Sequence, residues 1–203
     1  MADRPSTCES QSSTGSTEEK ASVSKSERTM SHSENTGPPL DYSFKNLLTL
    51  EGIENEKPRK GVKNYRKSKA GRYLSTALRL NNNQLVKIDG ISNAVNQILE
   101  YPERLTWLDL SFNKLADIPQ DLTALPNLKI IYLHGNHLAD LPSILKTLKM
   151  LLELYSLTLH GNPVEERKGY RSKVLAYLPH LKSLDFNNVT SADRKKIAMI
   201  KKK

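Results

Sequence analysis

The stretch LTWLDLSFNKL, residues 105–115, sets leucines at 105, 108, 110 and 115 and an asparagine at 113. The spacing is LxxLxLxxNxL. Its central LxL alternates apolar and polar residues, as a half-buried strand does. A strand that short cannot bury its apolar face alone. The stretch therefore needs copies of itself beside it, and the chain supplies them.

The earlier copy is incomplete at its start and carries Leu78, Leu80, Asn83 and Leu85. The next carries Leu128, Ile131, Leu133, Asn136 and Leu138, and a further one Leu154, Leu157, Leu159, Asn162 and Val164. A last copy, LKSLDFNNV, offers Leu181, Leu184 and Phe186 as inward positions, with Val189 where asparagine belongs. Steps between these positions are 30, 23, 26 and 27 residues. This is the signature of a leucine-rich repeat array. The expected fold is α/β: a short solenoid with a parallel concave sheet of about five strands, and helices and 3₁₀ turns on the convex side. Each asparagine is expected to turn the chain and to pair buried loop amides and carbonyls with its side chain.

The connections differ in length. GISNAVNQILEYP spaces Val95, Ile98 and Leu99 like a helix ending before Pro102, and SILKTLKMLLEL is also helical. DIPQDLTALP is short and reads as irregular or 3₁₀. A solenoid needs capped ends. A helix over 165–177, presenting Tyr170, Val174, Leu175 and Leu178 and stopped by Pro179, supplies the far cap. Glu165 and Glu166 then sit at its N-terminus.

Composition divides the 203-residue chain further. Residues 1–37 hold ten serines and five threonines and read as a disordered tail. Residues 38–73 combine an apolar docking segment with a basic linker; 57–73 carry eight basic and no acidic side chains. The repeats occupy 74–164 and the cap 165–190, and a basic tail fills 191–203. Over 74–193 the charges balance at twelve of each sign, so the net +9 belongs to the flanks. Such segments suit an acidic partner surface. The single cysteine, Cys8, permits no internal disulfide and favours a reducing compartment. No apolar run or leader pattern points to a membrane. The expected location is cytoplasmic.

Between the leucines of each strand, side chains face the concave side. One column reads Ala77, Trp107, Ile130, Ser156, Ser183; the next Arg79, Asp109, Tyr132, Thr158, Asp185; the third Asn81, Ser111, His134, His160, Asn187. Trp107, Asp109, Tyr132, His134, Thr158 and His160 are the candidate protein-binding residues, because aromatics on a polar face make interface hot spots. His134 and His160 fall on adjacent strands about 4.8 Å apart. No cysteine or carboxylate in their column completes a metal set, and no nucleophile stands beside them. LHGN occurs twice at one phase, which makes both histidines repeat-position residues. No cofactor fingerprint occurs.

The motif GNPxxxxxxYRxxVxxxLPxLxxLD over 161–185 resembles the C-terminal cap of the cytoplasmic leucine-rich repeat class. That class includes a protein phosphatase regulator, the spliceosomal U2 A-prime protein and an axonemal dynein light chain. PPLDYSF, SKAG, LNNNQL, LDLSFN, YLHGN, SLTLHGNPVEERKGYR and DFNNVTSADR, spread over 38–194, are similar to a family of small intracellular vertebrate proteins within it. The resemblance implies a non-enzymatic interaction module or scaffold whose repeat face binds another protein, with a cilium- or microtubule-associated role as its specific form. It transfers no ligand-binding residue. The alternative is nucleic-acid or ribonucleoprotein association through 57–73 and 194–203.

Overall fold

A computed structural model describes residues 37–200. The Ser/Thr-rich segment, Gly37 apart, and residues 201–203 lie outside the described residues.

The LxL pattern folds as read. The strands are β1 (Leu40–Asp41), β2 (Ala77–Arg79), β3 (Trp107–Asp109), β4 (Ile130–Tyr132), β5 (Ser156–Thr158), β6 (Ser183–Leu184) and β7 (Asn187–Asn188), joined in that order in one sheet. β1 to β6 are parallel, with Leu40, Leu78, Leu108, Ile131, Leu157 and Leu184 in one row. All six are buried. Parallel neighbours need crossovers, and these carry α1 (Ile91–Ile98), 3₁₀ turns at Pro102–Arg104 and Gln120–Ala124, and α2 (Leu141–Leu148). Their apolar sides close the core from behind, through Ile91, Val95, Leu122, Ile144 and Leu148. α1 is tied to the turn beneath it by Asp121, which accepts from the Ser92 amide and hydroxyl.

The asparagines form a ladder. Asn113 Nδ2 donates to the Leu80 and Leu110 carbonyls at 3.0 Å, and its Oδ1 accepts from Leu85 N at 3.1 Å. Asn136 and Asn162 repeat the arrangement one and two strands on. Asn83 begins it by donating to the Tyr42 carbonyl. These amides hold successive turns together through groups that are otherwise buried and unpaired.

Residues 38–56 cap the near end. β1 adds a sixth parallel strand to the five expected, and Tyr42, Leu50 and Ile53 enter the core. The basic segment is more than a linker. Arg59 N donates to the Asp41 carbonyl, Tyr65 OH receives the Asp41 amide, and Tyr73 N donates to the Ile98 carbonyl. The outer edge of β1 is thereby paired, which removes an open strand edge.

The far cap departs from the expected single helix. A 3₁₀ turn at Pro163–Glu166 comes first, and Gly169 at φ 74° breaks the path before α3 (Tyr170–Tyr177). Glu165 sits at no α-helix N-terminus; its carboxylate accepts from Gly161 N at 2.7 Å. The stretch read as a basic tail from 191 forms α4 (Ser191–Ile200), which buries Ile197. Thr190 and Asp193 cap it reciprocally: Thr190 N donates to the Asp193 carboxylate and Asp193 N to Thr190 Oγ1. Arg171 on α3 grips Asp193 with two bonds, at 3.1 and 3.0 Å.

The Arg171 guanidinium, followed by the Thr190 amide, holds the Asp193 carboxyl well below the usual range. A depressed folded-state pKa stabilises above the unfolded value, about 3.9 for aspartate, and that contribution is lost as pH falls below it. We expect amide protection in α4 to drop below about pH 4. Asp193→Asn should show the low protection already at neutral pH and no acid step. Protection in α4 that is independent of pH in the wild type excludes the linkage.

Candidate functional site

Among the described residues no helix lies on the second face of the sheet. The side chains flanking the buried leucines project there: Trp107 on β3, Ile130 and Tyr132 on β4, and Ser156 and Thr158 on β5. Trp107 meets Tyr132 edge to face at 5.8 Å, and its indole N–H is buried without an acceptor among the described residues. One residue beyond each LxL, His134 and His160 stack with ring centres 4.7 Å apart and planes 6° from parallel. That is the adjacent-strand geometry expected of one column.

Two phenylalanines complete the cluster. Phe186 stands 5.3 Å from Tyr132, 5.5 Å from His134 and 5.6 Å from His160. Phe112 meets His134 edge to face at 5.0 Å. They are 60% and 54% exposed, so Phe186 is not the inward residue its alignment suggested. The reason is the turn that ends β6. Asp185 and Phe186 both take positive φ, 53° and 60°, and form a two-residue hairpin to antiparallel β7. The turn throws the ring onto the open face. Asn187, expected in the histidine column, goes into β7 instead.

Of the six candidates, Trp107, Tyr132, His134 and His160 are brought together, half-buried, within one cluster. Asp109 and Thr158 lie beneath it, 6% and 0% exposed. Thr158 Oγ1 sits 2.9 Å from His134 Nδ1, and Asp109 Oδ1 accepts from the Ser111 amide and hydroxyl. They position the surface and do not form it. Asp185 closes the end of the face, accepting from Leu159 N, His160 N and Tyr170 OH and lying 3.4 Å from His160 Nδ1. Both Nδ1 atoms are thus engaged inside the sheet, and parallel stacked rings do not converge on one ion. Burial, then His160, lowers the His134 pKa below its ordinary value, against the pull of Asp109 and Asp185. Burial, followed by Asp109, raises that of Tyr132.

A family model described as leucine-rich repeat matches residues 75–203. The chain belongs to the leucine-rich repeat family. Leucine-rich repeat-containing protein 51 of Macaca mulatta is 48% identical over 157 residues, covering 77% of this chain and 81% of that protein. Its Homo sapiens namesake is 47% identical over the same length. A probable U2 small nuclear ribonucleoprotein A′ of Caenorhabditis elegans is 33% identical over 110 residues, 53% of this chain and 43% of that one. A chain of the Drosophila melanogaster SNF/U2A′ complex matches with a TM-score of 0.54 and 29% identity, covering 69% of this chain and 77% of that chain.

The leucine-rich repeat pattern alone does not mark Phe112, turns Phe186 inward, and puts Asp185 in a concave column without its role at the end of the face. One signal was available for Phe112: LDYSF at 40–44 and LDLSF at 108–112 are nearly the same five residues. Among the described residues no helix is long and apolar enough to cross a membrane.

Proposed function

We propose that the chain is a non-enzymatic protein-interaction module, a cytoplasmic scaffold whose concave sheet face receives a protein partner. The observation that carries this is the open cluster of Trp107, Tyr132, His134, His160, Phe112 and Phe186. Exposed aromatics on a rigid sheet offer large contact area at little entropic cost. That a chain of similar fold comes from the SNF/U2A′ complex supports it. Trp107→Ala combined with Tyr132→Ala leaves the buried leucine row untouched. We expect it to weaken the partner at least about tenfold, or remove it in a pull-down. An unchanged partner set excludes this face. A cilium- or microtubule-associated role is the specific cellular form of the reading. It requires salt-sensitive co-sedimentation with microtubules.

Ribonucleoprotein association is the second reading, supported by the 33% identical relative named for the U2 particle and by the cations of 57–73 and 194–203. Several of those cations are occupied: Arg59 by Ser43, Arg72 by Glu100 and Arg194 by the Leu181 carbonyl. Lys60, Lys63, Lys195 and Lys196 are exposed. RNA binding that falls steeply with salt and disappears when these four become glutamine supports this reading. Salt-insensitive or absent binding overturns it.

A further inference from the structure

The two LDxSF segments fold into the same local structure. Asp41 and Asp109 occupy one row of the sheet, two strands apart, with Arg79 between them. In the first segment Asp41 Oδ1 accepts from Ser43 N at 2.9 Å and Ser43 Oγ at 2.6 Å. In the second Asp109 Oδ1 accepts from Ser111 N at 3.1 Å and Ser111 Oγ at 2.6 Å. The phenylalanine that follows is left-handed in both, with φ 57° at Phe44 and 52° at Phe112. That conformation is rare and strained for a bulky residue. The same position holds Asn82, Gly135 and Gly161 in the other repeats, residues that adopt it readily. The strain at both phenylalanines turns a ring outward: they are 61% and 54% exposed.

The first ring is in use. Arg59 lays its guanidinium over Phe44, 5.2 Å from the centroid, and donates to Ser43 Oγ at 2.9 Å. Nothing in the described residues does this at Phe112. The charge beneath the second ring is also unspent. Asp41 has Arg79 at 3.4 Å, whereas Asp109 forms no ion pair among the described residues; Asp185 lies 3.4 Å from His160 while accepting from Leu159 N, His160 N and Tyr170 OH. Both carboxylates act on His134, the ring beside Phe112. A cation is the complement of the Asp109 carboxylate, which has no ion pair among the described residues, next to an exposed ring. A planar guanidinium stacks on phenyl better than an ammonium does. Residues 74–193 are neutral overall, so a basic partner meets no net repulsion there.

We propose that the Phe112 ring, with the Asp109 charge held below the surface, forms a docking point for an arginine on the protein partner, repeating on the open face the stacking of Arg59 on Phe44. This rests on the reading of the face as a protein-binding surface. Ser111 is already buried, so the guanidinium rests on the Phe112 ring, beside His134 and toward Asp109.

The test titrates the whole chain with a short arginine–glycine peptide and its lysine–glycine and glutamate–glycine counterparts, read by the ring-proton shifts of His134. We expect a saturable shift with arginine, about threefold to thirtyfold tighter than with lysine, and none with glutamate. Phe112→Gly should erase the arginine preference while leaving the melting temperature unchanged or higher, since glycine suits the left-handed site. Phe112→Tyr keeps a ring and should keep the preference. Equal affinity for arginine and lysine, a preference surviving Phe112→Gly, or tighter binding of glutamate overturns the proposal. A natural partner lost with the Trp107/Tyr132 double variant but retained by Phe112→Gly overturns it too, and leaves the interaction-module reading standing.

Discussion

Asn113→Ala is expected to lower stability by about 3 kcal/mol, or roughly 10 °C in melting temperature for a body of this size. Asn113 is 5% exposed and bonds four backbone groups, the Ser111 carbonyl at the longest distance, 3.3 Å. They fare unequally when it is removed. The Leu80 carbonyl keeps Asn83 as a donor and the Leu110 carbonyl keeps Asn136, so each loses one of two bonds. Leu85 N loses its acceptor outright. An unmade bond to a buried amide costs more than a made one contributes, so most of the loss falls at Leu85. Asn113→Asp separates the two functions. It keeps an acceptor for Leu85 N but turns a second oxygen toward two carbonyls, and a charge there is buried. At neutral pH it should be no better than alanine. On acidification the protonated acid donates again, and stability should recover relative to alanine. Equal thermal unfolding of Asn113→Ala and wild type removes the ladder from the account of this fold.

The leucine positions and the asparagines were legible because both answer to period and burial, which one chain displays by repetition. α1 and the 3₁₀ turn at Gln120–Ala124 followed from connection length and apolar spacing, as did the presence of α2, although the helix read over 143–154 spans Leu141–Leu148 and leaves Met150 and Leu152 exposed. Three features did not follow. β1 has too few residues to show alternation, and its pairing with β2 depends on groups 37 to 38 residues away, such as Ser75 on Pro38 and Arg79 on Asp41. α4 looks like a tail because Arg194, Lys195 and Lys196 stand together in it; it is fixed by Arg171 and the Thr190–Asp193 cap together with the buried Ile197. Phe186 and Phe112 were misplaced or missed because a backbone dihedral, not an apolar count, decides which way they point. Gly135 records the second case: a Cβ there would lie 2.7 Å from the Phe112 ring. The six candidates drawn from the columns share one face, but the columns do not tell depth. Asp109 and Thr158 lie under the rings because each holds a hydrogen-bond partner within the sheet.

Asp185→Ala is the second large loss we expect, about 3–4 kcal/mol, and it links the edge of the sheet to the open face. Along the array, the amide one residue past each strand pairs with the next strand: Leu80 N with the Asp109 carbonyl, Leu110 N with Tyr132, Leu133 N with Thr158. Leu159 N should continue the series onto the carbonyl of residue 185. There the chain has turned into its left-handed hairpin, and the carbonyl points elsewhere. The Asp185 carboxylate takes its place, accepting Leu159 N at 2.7 Å and His160 N at 3.0 Å, and its second oxygen accepts from Tyr170 OH at 2.9 Å. Burial, then the charge of Asp185, drives the Tyr170 pKa well above its ordinary value, so the hydroxyl stays a donor. Alanine leaves two amides and a buried hydroxyl unmatched. Asn at 185 retains an acceptor for the amides and a donor for the tyrosine oxygen, and should cost about 1 kcal/mol. Tyr170→Phe in the alanine background should cost less than in the wild type, because the hydroxyl is then already without its acceptor. If the two losses simply add, the carboxylate is not the joint between cap and sheet. If they couple, the residue that ends the repeat array also sets the height of His160 and Phe186, and the far boundary of the binding face is fixed by the same side chain that closes the sheet.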